Sequence, residues 1–164
     1  MGTPEKTVGN LQRAVLLAVA CGLLSFFVLD AGAGSYNEES REKAEVKRVI
    51  DQMERYYEGR KVTRFMSLFS RRKFPNLISF KHAVENDFNM NRDIRLRRTS
   101  ERLTVSKDMA VDQATWQKQF MPMIVSPHEG SRMKRVSGTV RIYLQKEGKN
   151  WKIINIQGYP IFGL

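Results

Sequence analysis

At Asn91 the spacing of apolar side chains changes period, and that change limits the folds open to this chain. Before it, Val46, Val49, Ile50, Met53, Tyr56 and Tyr57 recur three and four residues apart, as one face of a helix does. Ser40 fits the N-cap of that helix, Glu42 its first turn and Gly59 its stop. Val62, Phe65, Met66 and Phe69 repeat the spacing in a shorter helix that ends at Ser70-Arg71-Arg72-Lys73. After the loop at Pro75-Asn76, Ser79 is placed to cap a third helix with Phe80, Ala83, Val84, Asp87 and Phe88 on one side. Beyond Asn91 the period is two. One pair of strands joins at Ser106-Lys107-Asp108, and a second joins at residues 147–150, where Gly148 supplies the turn. Val136, Val140, Ile142 and Leu144 share one face of the third strand, and Ile154 and Ile156 one face of the fourth. Helices first and strands second make an α+β domain. Three helices lie on one face of a curved, cone-like antiparallel sheet of about four strands.

An N-terminal hydrophobic segment precedes this domain. Residues 14–29, AVLLAVACGLLSFFVL, form an uncharged run behind Arg13. Ala31-Gly32-Ala33 has the form of a leader-peptidase site, so residues 1–33 read as a signal peptide. The alternative is a retained anchor, for which residues 8–34 supply the length. Either places residues 34–40, a polar spacer, and the domain at 41–164 outside the cytoplasm, in the periplasm, soluble after cleavage or held at the inner membrane. The single cysteine, Cys21, lies within the run and is followed by eight further residues of it, GLLSFFVL, which argues against lipidation. An exported domain without a second thiol has no internal disulfide, so its core must hold it.

The chain carries 28 Lys and Arg against 17 Asp and Glu, a formal charge of +11. None of the excess falls in residues 1–33, where Glu5 and Asp30 cancel Lys6 and Arg13. Arg60, Lys61, Arg64, Arg71, Arg72 and Lys73 cluster without an intervening acid; Arg95, Arg97, Arg98 and Arg102 follow on the first strand, and Arg132, Lys134 and Arg135 form a third group. These stretches are solvated faces of a basic protein or face an anionic membrane surface or envelope polymer. Export puts nucleic acid out of reach.

The order and length of these elements resemble the nuclear transport factor two like superfamily, which includes ketosteroid isomerase and the SnoaL-like cyclases. The resemblance covers residues 42–162 and rests on four stretches: VIDQMERYYEGRKVTRFMSLFS, FKHAVENDF, DIRLRRTSERLTVSKDMAVDQATW and GTVRIYLQKEGKNWKIINI. In its enzymes a carboxylate base and hydrogen-bond donors share a cavity between helices and sheet. The resemblance makes Asp87 and Asp112 the candidate catalytic acids. Asp87 falls in the apolar phase of its helix, where it serves as a base or bonds backbone at the helix end. Asp112 alternates with Ala114 and Trp116, on a cavity wall or an exposed rim. Tyr56, Tyr57, Phe65, Phe88 and Trp116 are the candidate cavity lining, or simple core. His82 and His128 read as surface residues at unrelated spacings and give no zinc signature; no calcium, nucleotide or nucleophile-elbow motif is present, so no metal or cofactor is expected.

Three functions fit. The first is a non-enzymatic exported domain holding a small apolar ligand or a partner protein in or beside the cone. The second is a membrane-anchored scaffold, resembling the type IV secretion core component that carries this fold behind an anchor. The third is a cyclase or isomerase-like enzyme. Families of this kind often pair sheets, so a homodimer is a possible state. The closing stretch WKIINIQGYPIFGL holds one charge, Lys152, and predicts a last strand followed by a tail whose Ile161 and Phe162 pack back over the domain, near the cone mouth or across the helices, or else against a partner chain.

Overall fold

In the computed structural model the described residues are 30–123 and 132–163. The apolar run 14–29 and most of the 123–131 loop, with His128, lie outside them. Helix α1 spans Asp30–Glu58. Residues 34–40, expected as a spacer, are helical, and Ser40 is an exposed mid-helix residue rather than a cap. Nothing in Ser35–Ser40 breaks a helix, and Glu38 and Glu39 favour one. The compact unit begins at Glu42. Within it Val46, Ile50, Met53 and Tyr57 are fully buried, so the expected face is the inner one.

Arg60, in the left-handed region at φ 52°, reverses the chain after α1. Helix α2, Val62–Met66, is a single turn. It stops three residues before the expected Phe69, because residues 68–70 pair with the sheet instead. Ile153 donates to Leu68 O at 2.9 Å and Ser70 donates to Ile153 O at 2.8 Å, which makes a parallel bridge of Phe69 with Ile153. This covers part of an otherwise open strand edge. Helix α3, Leu77–Met90, starts after Asn76, whose left-handed conformation turns the chain; Ser79 is already inside the helix.

Strands β1 (Asn91–Ser106), β2 (Met109–Pro122), β3 (Lys134–Glu147) and β4 (Asn150–Gly158) form one antiparallel sheet in the order β1-β2-β3-β4. Both hairpins turn where the sequence places them, at Lys107-Asp108 and Gly148-Lys149. Ala110, Ala114, Trp116, Val140, Ile142 and Leu144 are buried on the inner face, against the helices. A bulge in β4 changes one expectation. Leu144 pairs with Ile153 and Tyr143 with Asn155, leaving Ile154 unpaired, and Ile142 then pairs with Ile156. The extra residue shifts the alternation, so Ile153 and Ile156 share the inner face and Ile154 does not.

After β4 the chain folds back as expected. Tyr159 donates to Thr139 O at 3.0 Å, and its ring lies where any side chain at Gly138 would stand. Ile161 is fully buried, and Phe162 meets Tyr57, Phe65 and Trp116 at centroid distances of 5.1, 6.0 and 5.3 Å. Gly163, at φ 76°, lies against Ala83 and Val84 too closely for a side chain. Phe162 is therefore a central core residue contributed by the segment after β4. We expect Phe162→Ala to lose about 3–5 kcal/mol of unfolding free energy in denaturant titration, and deletion of residues 159–164 to lose at least as much. An unchanged midpoint would show that the segment is idle.

Candidate functional site

The interior of the unit is organised by three carboxylates, each joined to a basic side chain. The deepest is Asp87 on α3, fully buried. Lys118 Nζ, on β2 and equally buried, donates to both carboxylate oxygens at 2.6 Å. Asn91 Nδ2, at the start of β1, donates to Oδ1 at 2.7 Å, and the Tyr57 hydroxyl of α1 donates to Oδ2. That hydroxyl in turn accepts the Gly163 N–H at 2.8 Å. Three side chains, from α1, β1 and β2, thus meet at one carboxylate on α3, and the backbone after β4 joins them through the Tyr57 hydroxyl. Desolvation and the Asp87 charge push the Tyr57 hydroxyl far above its ordinary value, so it stays protonated. Burial lowers Lys118, while its bonds to Asp87 oppose that shift. Its ammonium also stands 5.6 Å from the Tyr57 ring centroid and 5.0 Å from that of Phe120.

Asp112 points inward from β2, 1 % exposed, so it is not on an exposed rim. Arg98 joins it at 3.4 Å and reaches Asp51 of α1 at 3.0 Å. Arg98 is correspondingly withdrawn from the basic surface that its neighbours form. Its register partner is Trp116, and the guanidinium lies 5.7 Å from that ring centroid. The third carboxylate, Glu42, accepts Lys146 Nζ at 2.5 Å and Trp151 Nε1 at 2.8 Å, tying the first turn of the unit to β3 and β4.

Of the aromatic candidates, Tyr57, Phe65, Phe88 and Trp116 meet in the interior, where they pack on one another and on Phe162. Tyr56 is half-buried at the margin. Arg64, Arg71, Arg72, Arg95, Arg97 and Arg135 are exposed. Arg95, Arg97 and Arg135 share the outer sheet face through their register with Gln119, Gln117 and Gln119. His82 is exposed beside Glu85. Among the described residues no cluster of His, Cys, Asp or Glu is placed to hold a metal ion, and no helix is long and apolar enough to cross a membrane. Lys118 is the participant that the sequence reading missed. The alternation Asp112, Ala114, Trp116 leads directly to it as the next inward residue.

A chemical consequence follows for Asp87. Each of its oxygens accepts two hydrogen bonds from this chain, so a base in that position has no free lone pair directed at a substrate. Replacing Lys118 by Met leaves a buried carboxylate without its cation and should cost about 3–5 kcal/mol in chemical denaturation, while Asp87→Leu/Lys118→Met should recover most of that loss. Equal losses in single and double variants would show that the pair is not the cause. The raised Tyr57 pKa makes a second test. A hydroxyl that ionises more readily unfolded than folded contributes stability that is intact below the unfolded value and falls away as pH rises above it. From about pH 9 to about pH 11, Tyr57→Phe should therefore lose less stability than the unaltered protein.

No protein-family model and no curated protein sequence matches the chain. Solved structures do. A nuclear transport factor 2 (NTF2-like) superfamily protein from Salmonella enterica serovar Typhimurium is similar over 73 % of this chain and 91 % of its own, at 13 % identity and TM-score 0.62. A scytalone dehydratase-like protein from Novosphingobium aromaticivorans is similar over 75 % of this chain and 86 % of its own, at 13 % identity and TM-score 0.64. Bd1075 of Bdellovibrio bacteriovorus is similar over 70 % of this chain, at 15 % identity and TM-score 0.59, and the match spans 40 % of that protein's length. With helices packed on an open antiparallel sheet, the chain has the nuclear transport factor two like fold.

Proposed function

We propose that this chain is an exported, non-enzymatic binding domain whose cone is a closed structural core and whose partner, a protein or a membrane surface, engages it from outside. The observation that carries the reading is the occupation of the interior. Phe162 fills the space between Tyr57, Phe65 and Trp116, and the Asp87 carboxylate is bound by Lys118, Asn91 and Tyr57. A general base must lie within hydrogen-bond reach of the proton that it removes. Asp87, fully buried, and Asp112, beside Arg98, instead neutralise cations of the same chain. An elimination enzyme, the reading that the dehydratase name of one structural relative suggests, would need the closing segment displaced and Lys118 moved away. A small apolar ligand inside the cone meets the same obstacle.

Residues 14–29 support export, and the helical conformation at Ala31-Gly32-Ala33, where a cleavage site is ordinarily extended, supports the retained anchor among its two forms. On that reading the domain works as a scaffold beside a bilayer. Intact-mass measurement of exported protein separates the two: the full-length mass supports the anchor, and a mature start at Gly34 excludes it.

The closed interior is tested with benzene as the probe. We expect full-length protein to show no shift in melting temperature with benzene, and Phe162→Ala to gain one, because a vacated apolar cavity takes up such a ligand. A comparable shift in the unaltered protein would reveal space already open in the cone and defeat the reading.

A further inference from the structure

Outside the cone lies a groove of about 990 Å³, formed by α2, the turn after it, the start of α3 and the ends of β3 and β4. Its apolar members are Met66, Phe69, Leu77 and Ile78; its cations are Arg71, Arg72, Lys73, Lys81 and Lys152. Ile78 is 75 % exposed, the most exposed of the large apolar side chains described. The cations come from three separate elements, and their charge is largely uncompensated. Lys73 Nζ donates to the Gln145 amide oxygen at 2.7 Å and Lys152 Nζ to the Ser67 carbonyl at 2.7 Å, both neutral acceptors. Among the described residues, Arg71 and Arg72 meet no carboxylate. Lys81 shares Glu85 at 3.2 Å. The one acid in the groove, Glu147, accepts the Ser70 hydroxyl at 2.6 Å.

We infer that this groove is a docking site for anionic phospholipid in a bilayer, with a lipid phosphate held among Arg71, Arg72, Lys73 and Lys152 and Ile78 entering the acyl boundary. The inference rests on the reading that binding lies outside the cone. Charge complementarity selects an anion. A protruding isoleucine in the same groove as long basic side chains further selects the membrane interface, where an apolar tip leaves water while charges on flexible stems stay at headgroup level. Arginine adds planar, bidentate recognition of phosphate oxygens. An acidic protein segment would neutralise the same cations, but would need its own pocket to cover Ile78.

The test uses the full-length chain reconstituted in vesicles of phosphatidylcholine alone or mixed with phosphatidylglycerol. Amide hydrogen exchange is read along residues 63–81. We expect slower exchange in this segment only when phosphatidylglycerol is present, with the difference shrinking in high salt. Arg71→Gln/Arg72→Gln should weaken the apparent affinity for the anionic lipid roughly thirtyfold, which across vesicle compositions amounts to loss of the protection. Ile78→Asp should abolish it with every cation in place. All three residues are exposed, so unchanged melting temperatures will separate loss of docking from loss of fold. Equal protection in both vesicle types, protection that survives the variants, or protection confined to the Arg95 and Arg97 face would overturn the inference. Protection by soluble polyglutamate and not by vesicles would assign the groove to an acidic protein instead. None of these outcomes bears on the closed cone, which the benzene experiment reads separately.

Discussion

The Asp87–Lys118 pair sets the register of the whole unit. A charge taken out of water is costly unless a partner meets it with good geometry, so the elements carrying these groups must arrive together. Asp87 fixes the rotation of α3, and Lys118 fixes which face of β2 turns inward. A one-residue slip of β2 would bring Gln117 or Gln119 to the interior and expose Trp116 with Lys118. Tyr57 and Asn91 extend the same condition to α1 and β1. Apolar area supplies most of the driving force for burial, but it tolerates many arrangements. The ion pair accepts few.

The same device recurs at two other places, and together they account for the distribution of charge. Arg98 joins β1 to both Asp112 and α1, and Glu42 joins α1 to β3 and β4. Each places its charge near an aromatic ring: Arg98 beside Trp116, Lys146 beside Trp151 and Lys118 beside Tyr57. Interior charges are therefore consumed in pairs, and the net positive charge is left to the surface. Phe162 and the three ion pairs occupy interior space with side chains of this chain, and architecture alone is a poor guide to activity.

Much of this was legible from residue order. The change of period at Asn91, the two tight turns and the inward faces of α1, α3 and β3 follow from local spacing, which the final structure leaves intact. What local spacing hides is partnership across the chain. Asp87 stood out as an acid in an apolar phase, yet Lys118, thirty-one residues away, looked like one basic residue among many. Arg98 was read as surface for the same reason. The bulge at Ile154 was also invisible, because one additional residue in a strand has no compositional mark and reverses the alternation after it. The start of α1 was misplaced because Ser40 is a good cap, and a good cap in mid-helix is simply an exposed serine.

The position of Gly163 in the sequence has a temporal meaning. Synthesis delivers a chain from its N-terminus, so α1, α3 and all four strands emerge before the residues that complete the bond to Tyr57 and fill the space beside Trp116. Until residues 159–163 arrive, the tyrosine hydroxyl lacks its backbone donor and the apolar interior has an open side. The helices and the sheet are thus an incomplete core until the segment after β4 joins them. One phenylalanine and one backbone N–H complete it, so the stability of α1 depends on residues made more than a hundred positions after it.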